Sequence, residues 1–406
     1  MSIKAYKYRI YANKAATEKL HWVLDRCREL YNAALDERKS AYCMAGKSIS
    51  VYEQKRDLVE IKEAIRPEYQ QIASHVLQDV LFRLEKAFSA FFLRVKNGEK
   101  PGYPRFQSRT RYDSFTYPDH AGWKLEEQKR PADKKGMVRV KLHLSKLGTV
   151  KLHLHRNIEG MIKTLTIKRE GVQWYAVFTC EIGKPKALEV AYEDVGIDLG
   201  VTHFAALSTG EFIDNPRHYR RAEKRLKHLQ AALSRKKRGS HRRKKAVQAV
   251  AKAHRKIRNQ RQDFLHKESR KLVNRYQVIV FEDLQTTNLV KRPKPKPDEE
   301  TGQYLPNGAA AKAGLNKSIN DAGWSQFVRY CTYKAAWAGR TLVQVDPKYT
   351  SQICSGCSAV VKKTLEERWH SCECGCELDR DTNAAINILR VGYKLLVGTR
   401  PTRATA

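Results

Sequence analysis

The sequence has no long apolar run, although it extends over 406 residues. No stretch approaches the roughly 18–20 apolar residues that a membrane helix needs. Its first residues, MSIKAYKYRI, alternate polar and apolar side chains and lack the apolar segment of a signal peptide. These absences exclude a membrane-spanning or secreted protein. They predict a soluble, cytoplasmic protein without a membrane partner.

Acidic residues are also scarce, since 43 aspartates and glutamates face 78 lysines and arginines, which gives a net charge of +35. A charge of this size attracts a polyanion, and nucleic acid is the favoured partner. The alternative is a ribosome-associated or merely highly charged protein. Because 41% of the residues are hydrophobic, the chain is too apolar to be disordered, and its length predicts two to four domains.

Cysteine is rare outside one short segment. Four of the nine cysteines are scattered singly, and five lie between residues 354 and 376. A cluster in a large intracellular chain indicates a metal site rather than a disulfide scaffold. The pairs Cys354-x-x-Cys357 and Cys372-x-Cys374 predict a closed, structural zinc site, with Cys376 as the alternative ligand to one of the second pair.

The hydrophobic pattern changes period along the first half of the chain. Residues 3–11 alternate as a strand, whereas residues 14–98 carry apolar side chains at helical spacing and predict a small helical bundle. Residues 137–182 alternate again and predict an antiparallel sheet or small barrel, which the first strand could complete. The bundle would then be an insertion into a β domain. Between them, the loop 101–118 mixes aromatic residues with arginines such as Arg105 and could contact nucleic acid.

The second half, after a linker at 183–188, has a mixed α/β pattern with strands at 193–199, 203–208, 278–284 and 341–346 and a helix at 321–339. Residues 216–275 contain 23 lysines and arginines against three acidic residues, a net charge of +20. Such an excess of one sign predicts a helical hairpin lying along a sugar-phosphate backbone. The candidate nucleic-acid contacts there are Arg235, Lys236, Lys237, Arg238, Arg242, Arg243, Arg258 and Arg261.

Three carboxylates stand where strands end or helices begin. Asp198 lies between Gly196 and Gly200, which leave space for a metal or a backbone to approach. Glu282 ends an apolar strand, and Asp379 or Asp381 precedes a helix, where Asp381 could act as the cap. Three such acids brought together repel one another unless cations bind between them. Two Mg²⁺ ions suit oxygen ligands, and the chemistry expected is metal-assisted hydrolysis of a nucleic-acid backbone.

These motifs, taken in order, resemble those of the TnpB family, the transposon-encoded RNA-guided nucleases of insertion sequences and ancestors of type V CRISPR effectors. The resemblance covers essentially the whole chain and is carried by YKYRIYAN (6–13), PGYPRFQSR (101–109), GIDLGV (196–201), NQRQDFLHK (259–267), VFEDL (280–284), the paired cysteines and DRDTNAAINI (379–388). It implies an α/β, RuvC-like nuclease domain of ribonuclease H fold with a zinc-ribbon insertion. It also implies a wedge β-barrel into which a helical recognition bundle is inserted.

The domain boundaries expected from this resemblance alternate between the two architectures. They are the first wedge strand at 1–13, the recognition lobe at 14–108, the wedge barrel at 109–186, the first part of the nuclease domain at 187–349, the zinc ribbon at 350–377, and the last part of the nuclease domain with a C-terminal tail at 378–406.

The resemblance also implies site residues and partners. The catalytic, magnesium-binding acids fall on Asp198, Glu282 and Asp381, with Asp379 ranked behind because the family's acid stands two residues before the asparagine, here Asn383. It implies a guide RNA from the transposon end and cleavage of both strands of a target DNA beside a short motif. We expect a monomer with its RNA in a prokaryotic cytosol or nucleoid. The alternatives are a type V CRISPR effector, a nuclease-inactive RNA-guided regulator and a strand-transfer transposase.

Overall fold

The computed structural model describes residues 2–127, 138–364 and 367–398, and the chain divides into two compact units, Met1–Lys184 and Pro185–Ala406. The first residue of the sheet expected at 137–182 and the end of the expected C-terminal tail lie outside the described residues. None of the described helices is both long and apolar enough to span a membrane.

The first unit is built on a seven-stranded antiparallel sheet with the order β2-β6-β7-β1-β5-β4-β3. Its strands are β1 Ser2–Tyr11, β2 Ser114–Tyr117, β3 Trp123–Glu127, β4 Val138–Leu144, β5 Gly148–Leu154, β6 Met161–Glu170 and β7 Gln173–Ile182. The N-terminal strand does join this sheet, but it lies in the centre, because β1 pairs with β7 along most of its length and with β5 at its end. Within the described residues the sheet is open, since β2 and β3 do not pair with each other.

Three helices between β1 and β2 form a bundle, namely α1 Lys14–Ala45, α2 Val51–Glu60 and α3 Ser74–Lys96. Local sequence fixes their ends. Asn13 accepts a hydrogen bond from the Ala16 amide at the start of α1, Gly46 ends that helix in the left-handed conformation, and Ser50 and Glu53 form a reciprocal capping box on α2. The apolar stripe of α1 is buried, as its spacing predicts, and that of α3 is buried as far as Phe88, whereas Val95 near the end of that helix is exposed.

The second unit contains a five-stranded sheet with the order β10-β9-β8-β11-β14. Its strands are β8 Glu193–Leu199, β9 His203–Leu207, β10 Phe212–Asp214, β11 Tyr276–Glu282 and β14 Thr341–Val345. The first three are consecutive and antiparallel, whereas β11 and β14 run parallel to β8 after helical crossovers. The helices are α4 His218–Ser234, α5 His241–Arg275, α6 Thr286–Leu289, α7 Ala309–Ala322, α8 Trp324–Ala338 and α9 Arg380–Gly398.

Two short hairpins complete this unit, one with strands β12 Lys296–Pro297 and β13 Tyr304–Leu305, the other with β15 Trp369–Ser371 and β16 Glu377–Asp379. The single helix expected over 321–339 is wrong in its start. Gly323, with φ of +73°, ends α7 and precedes α8, because a left-handed residue interrupts the helical hydrogen-bond pattern. The expected helix therefore combines the end of α7 with α8.

Helix α9 packs directly on strand β8 of the five-stranded sheet. A Cβ atom at Gly196 would lie 2.1 Å from the Ala385 carbonyl oxygen and 2.7 Å from the Leu389 nitrogen. The glycine beside Asp198 therefore provides room for a helix backbone, which is one of the two uses that the sequence allowed. This close approach places the first turn of α9 near the end of β8.

Candidate active site and metal centre

Asp198 and Glu282 lie side by side at the carboxyl ends of two parallel strands. Ile197 of β8 is paired with Phe281 of β11, so the next residue of each strand is one of the two acids. Glu282 is 8% exposed, and its Oε1 accepts a hydrogen bond of 2.5 Å from the Thr350 hydroxyl. The buried apolar strand VIVF thus delivers a carboxylate to the edge where its neighbours also end.

Asp381 reaches the same edge from the first turn of α9. The structure assigns capping of this helix to Asp379, whose Oδ1 accepts hydrogen bonds from the Asp381 amide at 2.8 Å and the Thr382 amide at 3.2 Å. The expectation that Asp381 could be the cap is therefore wrong. Because Asp379 satisfies the helix terminus, the Asp381 side chain is left for other contacts.

The electrostatics of the three acids show that they share one environment. Burial, then the charges of Glu282 and Asp381, raises the pKa of Asp198 to about 8. Burial raises the pKa of Glu282 against the effect of the Thr350 hydrogen bond. Burial and then the charge of Asp379 raise the pKa of Asp381, while nearby arginines oppose the shift. Without a cation Asp198 is therefore protonated at neutral pH, as expected for a buried carboxyl close to two others.

This arrangement fits divalent cations bound by oxygen. In the part of the chain that the structure describes, the three carboxylates do not form a cluster with all ligand atoms within 4.8 Å of one another. Carboxylate oxygens are nevertheless the ligand type that Mg²⁺ prefers in proteins. These residues remain a predicted site.

The zinc-ligand candidates do form such a cluster. The Sγ atoms of Cys354, Cys357, Cys372 and Cys374 all lie within 4.8 Å of one another, with 3.7 Å between Cys354 and Cys374 and 3.6 Å between Cys357 and Cys372. Zinc bound to four thiolates at about 2.3 Å requires sulfur separations of about 3.8 Å. The four cysteines therefore fit a tetrahedral zinc ion.

A second group of candidate ligands overlaps the first. Cys354, His370 and Cys376 also place their ligand atoms within 4.8 Å of one another. His370 is completely buried, and neither ring nitrogen has a hydrogen bond of standard geometry. Burial tends to raise the pKa of Cys354, but hydrogen bonds from the surrounding backbone and from His370 outweigh it and lower the pKa to about 5. Sequence reasoning missed His370, since a lone histidine gives no signal at this spacing.

The predicted nucleic-acid contacts differ in what their side chains do. Arg235, Lys236, Lys237 and Arg238 are exposed in the turn between α4 and α5, and Arg242 and Arg258 are exposed on α5, whereas Arg105 is exposed in a loop of the first unit. Arg243 and Arg261 also hold other groups of the protein in place. Arg243 donates to the Leu233 and Lys236 carbonyl oxygens at 3.0 and 3.1 Å, and Arg261 donates to the nearly buried Asp321 carboxylate at 2.9 Å.

Three protein-family models match the chain. One, OrfB of IS605, is described as a probable transposase and matches residues 177–292; a Cas12f1-like TNB domain matches 324–388. A helix-turn-helix domain matches 1–47, where the structure contains strand β1 and helix α1.

Among curated proteins, the chain is 34% identical to one named RNA-guided DNA endonuclease from Streptomyces pristinaespiralis, covering 99% of this chain and 93% of that protein. It is 29% identical to the RNA-guided DNA endonuclease InsQ of Escherichia coli K12, covering 97% and 93%.

Two solved structures share the fold of this chain over most of its length. A Cas12f1 protein in complex with sgRNA and target DNA has a TM-score of 0.57 and 13% identity, covering 95% of this chain and 98% of that one. The mini-RNA-guided endonuclease CRISPR-Cas_phi3 has a TM-score of 0.51 and 9% identity, covering 96% and 92%. With the full-length similarity to curated relatives, these findings show that the chain belongs to the TnpB family, the OrfB proteins of IS605-type insertion sequences.

Proposed function

We propose that this protein is an RNA-guided DNA endonuclease of an insertion sequence, which cuts double-stranded DNA beside a short target-adjacent motif. The observation that carries this proposal is the meeting of Asp198, Glu282 and Asp381 at one edge of the second-unit sheet. Buried carboxylates with raised pKa values in a strongly basic chain suit a cation-dependent reaction on phosphodiesters.

The three acids would hold two Mg²⁺ ions, and these ions would supply activation of the attacking water and stabilisation of the leaving oxygen of the phosphodiester. Asp198 and Glu282 come from parallel strands, and Asp381 comes from a helix packed on β8, so all three acids belong to elements of one packed unit. Because the raised pKa of Asp198, about 8, keeps this carboxyl protonated at neutral pH in the metal-free state, metal binding would release its proton. A lower pH would therefore weaken Mg²⁺ binding.

The remaining architecture follows the family pattern in this proposal. The first-unit sheet acts as the wedge (1–13 and 109–186), and its inserted helices act as the recognition lobe (14–108). The nuclease domain comprises 187–349 and 378–406 and is interrupted by a zinc ribbon at 350–377. Zinc on the two cysteine pairs is structural, because a closed four-thiolate site leaves no position for a substrate.

The partners proposed are a guide RNA from the transposon end and a target DNA duplex, bound by one protein chain in a prokaryotic cytosol or nucleoid. The turn between α4 and α5 supplies exposed cations to a phosphate backbone. Arg243 and Arg261 would stabilise the conformation of this surface, since both donate hydrogen bonds to other groups of the protein.

The test is cleavage of a matching duplex by protein purified with its co-expressed RNA in the presence of Mg²⁺. Asp198→Ala should abolish cleavage while RNA and DNA binding remain, because a lost metal ligand removes chemistry rather than phosphate contacts. Asp346→Ala is the matched control, as this acid follows the neighbouring strand β14 and is 64% exposed. Cleavage that survives Asp198→Ala would contradict the assignment.

The same reaction separates the alternatives. Joined rather than cut strands with a labelled transposon end would indicate a strand-transfer transposase, and guided binding without any cutting would indicate a regulator. Sequencing of the co-purified RNA distinguishes an insertion-sequence nuclease from a type V CRISPR effector. A guide from the transposon end supports this proposal, whereas a guide from a repeat array indicates a CRISPR effector.

A further inference from the structure

The first cysteine pair of the second unit lies in a segment that lies between the zinc-ligand cluster and the strand end with the proposed magnesium ligands. We call residues 350–358 the first knuckle; it contains Cys354 and Cys357 and follows strand β14. Its hydrogen bonds lead to Glu282 on one side and to helix α9 on the other. The segment thus connects a zinc site with Glu282 and with the helix that carries Asp381.

Thr350 makes the contact with the strand acid. Its hydroxyl donates to Glu282 Oε1 at 2.5 Å, and the side chain is 3% exposed. A hydrogen bond from a neutral donor to a buried carboxylate fixes one oxygen of that group and leaves the other available to a cation. Thr350 stands four residues before Cys354, so the position of its hydroxyl depends on the conformation of the knuckle.

Asn383 joins the first knuckle to helix α9, the helix that carries Asp381. This completely buried side chain donates to the Ile353 carbonyl oxygen at 2.8 Å and accepts from the Ser355 amide at 2.8 Å. Ile353 and Ser355 flank Cys354, so one amide group clamps the backbone on both sides of a zinc ligand. Asn383 also lies two residues after Asp381 in the first turn of α9.

Further bonds from α9 fix the same segment. Asn387, one turn later, donates to the Thr350 carbonyl oxygen at 3.0 Å and to that of Ile353 at 2.6 Å. Arg390 donates to the Ser355 carbonyl oxygen at 2.5 Å and to the Ser358 hydroxyl at 3.1 Å. Three side chains on one face of α9 therefore bind the knuckle, and each buried polar group that they satisfy would be costly to leave unpaired.

We propose that the first knuckle is a positioning element of the nuclease site, in which Thr350 orients Glu282 and Asn383 sets the place of Asp381 relative to the zinc ligand Cys354. Zinc then performs no chemistry but supports the magnesium ligands by rigidifying residues 353–355. This inference rests on the proposed nuclease function. Thr350, Asn383 and Asn387 are positioning residues, because they act through other side chains.

Coupling of this kind is reciprocal. If the first knuckle stabilises the magnesium ligands, the elements that carry those ligands stabilise the first knuckle by the same free energy. Loss of the clamp should therefore be visible at the zinc ion itself, without any cleavage reaction. A purely local role of the ribbon, such as folding of residues 350–377 alone, would leave the magnesium requirement unchanged.

The first experiment measures single-turnover cleavage by the guide-loaded protein over a range of Mg²⁺ concentrations. Thr350→Val keeps the side-chain shape but removes the donor, and it should raise the Mg²⁺ concentration for half-maximal cleavage by 10-fold or more, with guide and target binding unchanged. Thr350→Ser should restore most of the wild-type requirement. The matched control is Thr364→Val, which removes another threonine–glutamate hydrogen bond from the same ribbon, that of 3.0 Å to Glu367.

The second experiment measures release of zinc to a chelator from the guide-loaded protein. Asn383→Ala should release zinc at least several-fold faster than wild type, because the peptides beside Cys354 lose their clamp. The inference is overturned if Thr350→Val and Thr364→Val show the same Mg²⁺ requirement, or if Asn383→Ala releases zinc at the wild-type rate. A wild-type complex that binds its target but never cuts overturns the proposed function instead, and the zinc measurement still tests the clamp.

Discussion

The contact between Gly196 and helix α9 leads to a substitution whose effect can be worked out from distances. An alanine Cβ at this position would lie 2.1 Å from the Ala385 carbonyl oxygen, 2.7 Å from the Leu389 nitrogen and 2.8 Å from the Leu389 Cβ. Two of these atoms belong to the helix backbone and cannot rotate away, so α9 must shift by more than 1 Å to reach ordinary contact. Overpacking of a rigid core costs about 1–3 kcal/mol, and we expect Gly196→Ala to lie near or above 3 kcal/mol.

Urea or thermal unfolding of the second unit measures this change. The matched control is Gly314→Ala in helix α7, where no atom lies within 4 Å of the added Cβ and the backbone conformation is ordinary. That control should be neutral or stabilise by up to about 1 kcal/mol, since alanine favours a helix over glycine. A Gly196→Ala protein that unfolds within about 0.5 kcal/mol of wild type would refute the seating of α9 on β8.

The same variant should also impair cleavage, because α9 carries Asp381 and β8 carries Asp198. A displaced helix changes the separation of two proposed metal ligands, and misplacement by 1 Å can cost about 100-fold in rate. Guide and target binding should change less than cleavage. Equal losses in binding and cleavage would indicate general unfolding instead of a displaced ligand.

Three further outcomes follow from the site and the basic hairpin. Because the folded-state pKa of Asp198 is raised to about 8 from an ordinary 3.8, the metal-free protein should lose stability as pH rises through this interval. Asp198→Asn should remove that loss and stabilise the metal-free protein at pH 8 by about 1–3 kcal/mol. A steeper pH dependence of thermal unfolding in the variant would contradict this reasoning. Cys374→Ser should remove the four-thiolate pattern from the absorption spectrum of the Co²⁺-substituted protein, whereas Cys376→Ser should leave the spectrum unchanged. The opposite result would make Cys376 the fourth ligand. Arg238→Ala should reduce the salt dependence of RNA binding without loss of stability. Arg243→Ala should instead lower the melting temperature, because Arg243 donates hydrogen bonds to the Leu233 and Lys236 carbonyl oxygens. Equal effects of both variants on the melting temperature would contradict the distinction.

The periodic parts of the sequence were sufficient to predict most elements of the fold. The two-residue alternation of 138–182 and the helical stripes of α1 and α3 are local patterns, and they are borne out because each buries one face in a core. Breaks without a change of pattern were harder to predict. The helix expected over 321–339 combines two helices, since the left-handed Gly323 interrupts a continuous amphipathic sequence.

The candidate site was predicted to the extent that its residues carry a chemical signature. Carboxylates at strand ends and paired cysteines are recognisable by type and spacing, so Asp198, Glu282 and the two cysteine pairs could be named before any geometry. The resemblance ranked Asp381 before Asp379 as the metal ligand, but the sequence left open which of the two caps the helix. Only the helix terminus shows that Asp379 accepts the two amide hydrogen bonds.

What the sequence by itself determined is therefore the inventory: a strongly basic hairpin, a set of strand-end acids and a cysteine cluster, on elements set by local periodicity. The tertiary structure alone decided which of these groups share an environment. Thr350 and Glu282 are 68 residues apart in the chain, and Asn383 is 28 residues from Ser355, so nothing in local sequence signals their contacts. Parallel strand ordering and the seating of α9 on Gly196 bring them together, because contacts between distant residues depend on packing rather than on periodicity.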